Sequence, residues 1–503
     1  MRIRFLLLVG AVLLTAGAVA FGEPTLSGGE PLSLRDAVDL ALGFAPVLRD
    51  ARLARDAAQL SFAIARAEVT PSLRLEPDGA QTIGVARDRT GPSFDAPLGR
   101  QRTSLTMGTS LLLQQALPTG ATLTARAGSS TRIIAVGDDD PVVLQAPSAS
   151  VSIAQPVFVN RRLIDGRVYA AALEEAELGR HDAEVRLRDA ENDTVIRVVQ
   201  AYLGARTATD AHIVSALAVD RARAALRVVE ARHEAGLIRF DEVLDAELAV
   251  AQAVDTWYAA EIDRDGAYDA LRALIGPFDL GIDTFILSQQ PGRAVDAATD
   301  GPDPADVERA RIALRRAQIA AIVAGVTDGG TLTLALSVNP RYAANRQPGS
   351  DFAASVTDLF DPDAGVDVSV ALRLSVPLVD GGAARLRAER REIDMARSQL
   401  TLADRRDANA ATVERLARQL GLAERSADRA REQLDQAHGR LERVLSLERA
   451  GEATAADVDT ADAERDRRAI ALRAADAEVL VSSLRLAAAR GARVYDAISR
   501  AAE

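Results

Sequence analysis

The sequence predicts an internally duplicated protein in which long all-α helical hairpins are joined to transmembrane β-strands. Three observations carry that expectation. Short stretches alternate apolar and polar residues, very long stretches repeat at helical spacing, and the whole order is written twice. In Asp367–Val376, DVSVALRLSV, the residues Val368, Val370, Leu372, Leu374 and Val376 fall on one side of a period of two. Asp367, Ser369, Ala371, Arg373 and Ser375 fall on the other, which is a strand with one apolar and one wet face. Beyond Pro377 and the Gly381-Gly382 pair, Ala, Arg, Glu and Leu recur at helical spacing.

The helices come as two hairpins. The first helix runs from about Arg161 to Arg232 without a proline, and Val195, Val198, Val199 and Tyr202 share one of its faces. The text breaks at Ala235-Gly236, resumes at about Arg239 and ends at Gly276, glycine being the usual residue where a helix stops. Downstream, a helix from about Ala383 to Arg449 breaks at Ala450-Gly451, resumes at about Thr454 and ends at Gly491. Gly236 to Gly451 and Gly276 to Gly491 are both offsets of 215. Val243 meets Val458, and Leu271 meets Leu486, at the same offset. QPVFVN (Gln155–Asn160) parallels VPLVDG (Val376–Gly381), and ARLARDAAQL (Ala51–Leu60) parallels ARIALRRAQI (Ala310–Ile319). An internal repeat follows, each half reading short helix, strands, long helix, Gly turn, shorter helix.

The strands lie between the short and long helices. Leu105, Met107, Thr109, Leu111 and Leu113 alternate with Ser104, Thr106, Gly108, Ser110 and Gln114, with Leu112 out of pattern. Ala149, Val151 and Ile153 alternate with serines, and Leu332, Leu334, Leu336 and Val338 alternate with Thr331, Thr333, Ala335 and Ser337. One stretch, LPTGATLTARAG (Leu117–Gly128), reads as a further hairpin with no counterpart in the second half. It is expected to extend the sheet or fold at its base rather than add membrane strands.

The N-terminus has a positive n-region (Arg2, Arg4), an apolar run Phe5–Leu14 and a small-residue site at Ala18-Val19-Ala20. That is a secretory signal peptide, cleaved after Ala20. The 0 Cys exclude disulfides and thiolate metal sites, and the 4 His (His181, His212, His233, His438) lack ligand spacing. All 60 basic residues are Arg, and the net charge of -12 argues against nucleic acid as a partner. No nucleophile setting or phosphate loop is present, so neither an enzyme nor a cofactor or metal is expected.

Geometry limits the architecture. A helix of about 70 residues is about 105 Å long and must pack lengthwise against others. Membrane strands need about 9–11 alternating residues and a sheet closed without edges. Four strand regions cannot close alone, so several chains must share one barrel. Three chains, each giving two hairpins, would make twelve strands. The alternative is a non-channel periplasmic coiled-coil tether or structural protein.

The signal peptide, the duplicated strand–helix order, the QPVF and VPLV-DGG entries and the Ala-Gly turns before acidic helix starts together resemble the outer-membrane efflux protein family, the TolC-like channels. The resemblance covers nearly the whole mature chain. It implies a homotrimer with a β-barrel in outer-membrane lipid and a helical tunnel through the periplasm, partnered by a periplasmic adaptor protein and an inner-membrane pump. On this reading residues 21–70 are N-terminal periplasmic helices, 71–157 outer-membrane strands, 158–276 the first long hairpin and 277–303 an equatorial connector. Residues 304–328 are then the second short helix, 329–378 the second strand set, 379–491 the second long hairpin and 492–503 a C-terminal tail. The resemblance also implies adaptor contacts at the tips Gly236 and Gly451. It implies a periplasmic aperture closed by inward acidic residues, for which Asp457, Asp459 and Asp462 are the candidates. In a trimer each would form a ring of three carboxylates, although acidic residues near a helix start also simply favour the macrodipole.

Overall fold

The computed structural model describes residues 32–77, 82–87, 101–136, 141–159, 162–163, 166–276, 303–327, 331–340, 365–376 and 380–501. The signal peptide and nearly all of the connector lie outside them. Among the described helices, none is long and apolar enough to cross a membrane. The chain divides into two compact units. One is Arg49–Ala190 with Pro302–Val413; the other is Met1–Leu48, Glu191–Gly301 and Glu414–Glu503.

The first of these units holds one antiparallel sheet. β1 (Ser72–Pro77) and β2 (Thr82–Arg87) pair with the two halves of β3 (Gln101–Ala116) along the same edge. β4 (Thr122–Val136), β5 (Val142–Val159), β7 (Thr331–Pro340) and β8 (Val366–Ser375) follow in order, and the two-residue β6 (Arg162–Leu163) pairs only with β5. The sheet is therefore six positions wide, where sequence reading expected four. The two further positions are the β1/β2 edge and β4: the hairpin at Leu117–Gly128 extends the sheet, one of the two outcomes expected for it, β3 and β4 being paired from Arg102↔Val136 to Ala116↔Thr122. Its turn, Leu117–Ala121, is closed by the Leu117 N–H on the Ala121 carbonyl (2.8 Å) and uses Gly120 at φ 81°. The Gln155 amide of β5 donates to the Thr119 carbonyl (3.0 Å), pinning this turn to the neighbouring strand.

Register makes the sheet two-faced. Leu73, Leu113, Ala125, Val151, Val338 and Val368 stand in one row across it, and the adjacent row is Ser72, Gln114, Thr124, Ser152, Ser337 and Ser369. Because side chains alternate along a strand, these rows lie on opposite faces. The charged residues Arg74, Glu76, Arg126, Arg132, Asp367 and Arg373 all share the serine face. The apolar face is exposed in the single chain from Leu73 and Leu75 through Met107, Leu111 and Val151 to Val370 and Leu372.

The short helices α2 (Pro46–Glu68) and α5 (Ala305–Thr327) are both 23 residues long and repeat at an offset of 259. α5 packs on the N-terminal part of α3 (Arg167–Glu234) through charge pairs: Glu308 accepts from Arg188 (2.6 Å) and contacts His181 (2.7 Å), and Arg315 meets Glu174 (2.5 Å). Val307 and Ala310 pack with Leu402 of α6 (Ala383–Ala450) beneath these pairs.

The other unit is helical. It contains α1 (Leu34–Phe44), the later part of α3, α4 (Phe240–Ile275), the later part of α6, α7 (Ala455–Ala489) and α8 (Val494–Ala501). The apolar stripe foreseen on α3 is its centre: Val195, Val198, Val199 and Tyr202 are buried with Val38, Leu271, Ile275, Leu484 and Ile498. Tyr202 spends its hydroxyl on the Leu32 carbonyl (2.8 Å), which makes burial of that polar group affordable. The segment expected as a tail contains α8, whose Val494, Ala497 and Ile498 are buried. Asn192 holds its start with both ends of its amide, donating to the Ala492 carbonyl (3.1 Å) and accepting from the Val494 N–H (3.0 Å).

Candidate functional site at the helical tips

Each long helix ends in the same turn. At the first, Gly236 sits at φ 74°, its N–H donates to the His233 carbonyl (2.8 Å), and the Leu237 N–H reaches back to Arg232 (2.9 Å). At the second, Gly451 sits at φ 77°, its N–H donates to Glu448 (2.9 Å), and the Glu452 N–H reaches back to Leu447 (2.8 Å). Both are Schellman caps, in which the left-handed residue turns the last amides onto orphan carbonyls. A Cβ at either glycine would meet nothing within 4 Å, so the backbone angle alone selects glycine.

The helices that leave the two turns start differently. Thr454 caps α7: its hydroxyl accepts from the Asp457 N–H (3.3 Å), and the Asp457 carboxylate accepts from the Thr454 N–H (2.8 Å) and hydroxyl (2.6 Å). The hydroxyl bond first, and the amide second, hold the Asp457 carboxyl below the usual carboxylate range. At the same offset in the first repeat stands Arg239, which makes no side-chain cap. There His233 takes over, its Nδ1 donating to the Ile238 carbonyl (3.1 Å) while its ring lies 5.8 Å from that of Phe240.

The three acidic candidates are thus chemically unlike. Asp457 is exposed but engaged in the capping box. Asp462 is half-buried and paired with Arg221 of α3 (2.7 Å) and Arg465 (2.8 Å). Asp459 is exposed, and among the described residues no ion pair holds it.

Arg221, a residue that sequence reading passed over, also reaches Asp466 (3.5 Å). Eleven residues away along both helices, Asp210 of α3 pairs with Arg473 of α7 in the reverse sense. The sums 221 + 462 and 210 + 473 agree at 683, as an antiparallel pair in fixed register requires. On the outer surface of the first tip, Phe240 (62% exposed), Leu244 (56%) and Leu248 (57%) form a stripe at i, i+4, i+8. At the repeat offset their counterparts are Ala455, Asp459 and Ala463, so this stripe belongs to one tip only. A shallow groove of about 520 Å³ runs along the end of α3 at the same tip, lined by Ala224, Val228, Ala231, Ala235 and Leu237. Matching identical residues between repeats hid this asymmetry; comparing what differs at the offset would have found it.

Long helical hairpins that turn at capped glycine tips, with a two-faced antiparallel sheet between the short and long helices in chain order, are the fold of TolC-like outer-membrane channels. Residues 37–277 match the model of the outer membrane efflux protein family. A membrane protein from Pseudomonas aeruginosa matches with a TM-score of 0.58 at 18% identity, over 93% of this chain and 92% of its own. The outer membrane protein VceC of Vibrio cholerae matches at 0.58 and 16%, over 91% and 96%, and the Campylobacter jejuni CmeC outer membrane channel at 0.57 and 13%, over 94% and 90%. At these identities the likeness is one of fold. No curated protein matches the chain in sequence. The family match, together with the fold, supports an outer-membrane efflux channel with a periplasmic extension.

Proposed function

We propose that the chain assembles as a homotrimer and serves as the outer-membrane channel-tunnel of a tripartite efflux or type I secretion system. It is a passive conduit that receives substrate from the periplasm or from an inner-membrane pump and releases it outside. The observation that carries this reading is the sheet: one mainly apolar face, with Arg87 at the end of β2 in phase with it, one polar face, and, among the described residues, two unpaired edges at β1/β2 and β8. Unpaired backbone is not tolerated in lipid, so such a sheet needs copies of itself to close. A soluble tether would gain nothing from an apolar face of this extent.

At the helical tips, Gly236 and Gly451 mark the contacts of a periplasmic adaptor, with the Phe240, Leu244 and Leu248 stripe supplying the apolar part of that surface. Asp457, Asp459 and Asp462 belong to the periplasmic aperture. Asp459 is the member best able to present a free carboxylate to passing cations, whereas Asp462 is neutralised by Arg221. Opening moves α7 relative to α3 and breaks that pair. Extraction from outer membranes in mild detergent followed by native mass measurement tests the assembly. Three copies support the shared barrel; a monomer, or recovery in the soluble periplasm, overturns it.

A further inference from the structure

We infer that the β3–β4 hairpin crosses the outer membrane beside its neighbours, so that each chain supplies six strands and three copies close an 18-stranded barrel rather than one of twelve. The inference rests on the trimeric reading above and adds the width of the pore.

The surplus is visible first in the repeat arithmetic. The short helices α2 and α5 repeat at an offset of 259, whereas the tips repeat at 215. The first repeat therefore carries 44 more residues (259 − 215) between its short and long helices. That is the length of two strands and their connections, and it falls where β3 and β4 stand.

A hairpin folded at the base of a barrel would hang below the ladder and need no apolar face. This one does neither. Its turn lies level with the helix-proximal end of β5, as the pairing Thr122↔Ala154 and the Gln155–Thr119 hydrogen bond fix it. From there β4 climbs alongside β5 as far as Ile134↔Val142. Along that climb β4 puts Leu123, Ala125, Ala127 and Ile133 on the apolar face, with the small uncharged Ser129 and Thr131 between them, opposite Thr109 and Met107 of β3. The span from Leu123 to Ile133 fits the ~9–11 residues of a membrane strand. Both β4 charges, Arg126 and Arg132, lie on the opposite face, where Arg126 reaches across β3 to within 3.9 Å of Glu76. An ion pair on the lumen side costs little, because that side is wet.

Closure then brings the β8 edge of one copy to the β1/β2 edge of the next. With strands about 4.8 Å apart and tilted about 40°, 18 strands give a backbone diameter of about 36 Å, against about 24 Å for twelve. Barrels of that width leave an aqueous channel unless something plugs them. The outer-membrane mouth is then wider than the four-strand plan allows, which suits bulky cargo.

The chain has no cysteine, so single engineered thiols report unambiguously. Ala127→Cys (apolar face of β4), Val151→Cys (same face of β5) and Thr124→Cys (polar face of β4) are made in the full-length protein. Each is tagged with a polarity-sensitive fluorophore and reconstituted in vesicles of brominated phosphatidylcholine. The expected result is several-fold quenching by brominated lipid at 127 and 151, with position 124 quenched by aqueous iodide instead. Quenching at 151 without quenching at 127 would overturn the inference, since β4 would then lie outside the bilayer. If Ala127→Cys fails to assemble, Ser129→Cys on the same face replaces it. Native mass on the same samples separates the two levels. Three copies with 127 quenched support 18 strands. Another copy number overturns that count through the trimeric reading, while the quenching result alone decides how many strands each chain supplies.

Discussion

Thr454 and Asp457 cap each other at the start of α7, with the Asp457 carboxylate 2.6 Å from the Thr454 hydroxyl and 2.8 Å from its N–H. These bonds favour the ionised carboxyl, so its pKa is lowered in the folded chain. The contribution to stability is therefore full above the ordinary aspartate range and is lost as pH falls through the lowered value. Thr454→Ala should lower the melting temperature at neutral pH, and the gap to wild type should close only below the ordinary aspartate range. Thermal unfolding in detergent at a series of pH values measures this; a gap independent of pH would remove Asp457 from the cap.

The two tip glycines make a matched pair of tests. Gly236→Ala and Gly451→Ala each force a Cβ into the left-handed region with no clash to add, so each should cost about 1–2 kcal/mol. Asn at the same positions should cost less, because its side chain tolerates that conformation. Denaturant unfolding of the four variants gives the values. Ala tolerated as well as Asn would mean the turns relax.

Arg221 links α3 to α7 through Asp462 and Asp466, and its side chain is only 21% exposed. Arg221→Ala leaves two carboxylates with Arg465 as their remaining partner, at a cost of about 1–3 kcal/mol. If separation of these helices opens the aperture, the variant should also conduct more often in planar bilayers, and the Arg221→Ala/Asp462→Ala pair should behave like the single change. Unaltered closed-channel behaviour would confine Arg221 to a structural role.

The parts of this molecule that were legible in sequence are those set by local physics. Period-two alternation in Asp367–Val376 depends only on the pleat, and β8 is Val366–Ser375. Gly236 and Gly451 were legible because a helix ending in a left-handed residue selects glycine whatever surrounds it. The width of the sheet was legible only in part: Leu117–Gly128 stood out as an unmatched hairpin, but with no counterpart in the second repeat nothing local said whether it joins the ladder, and the short β1 and β2 (Ser72–Pro77, Thr82–Arg87) gave too little alternation to be read as strands. Charge pairs such as Arg221–Asp462 join residues 241 apart and require the register of two packed helices, which no local pattern carries. Asp457 stood out in sequence for its distance from Gly451. That same distance makes it the third residue of a capped helix, so position alone could not separate an aperture residue from a cap.

The asymmetry of the tips gives the sharpest test of adaptor coupling. Phe240, Leu244 and Leu248 expose an apolar stripe on the first tip, whereas the second carries Ala455, Asp459 and Ala463 at the same places. Apolar side chains at matched spacing on an exposed helix gain by covering, and a helical hairpin from an adaptor would insert along the stripe. Leu244→Asp gives the first tip its second-repeat counterpart. The leucine is exposed in the single chain, so folding and trimer mass should stay as in wild type. Burying that carboxylate in an adaptor contact should instead weaken co-purification with the adaptor by at least tenfold, about 1.4 kcal/mol or more. Asp459→Leu, which makes the reverse exchange, should leave that association unchanged. Equal loss in both variants would mean that the two tips bind alike, and that the stripe is not what the adaptor reads.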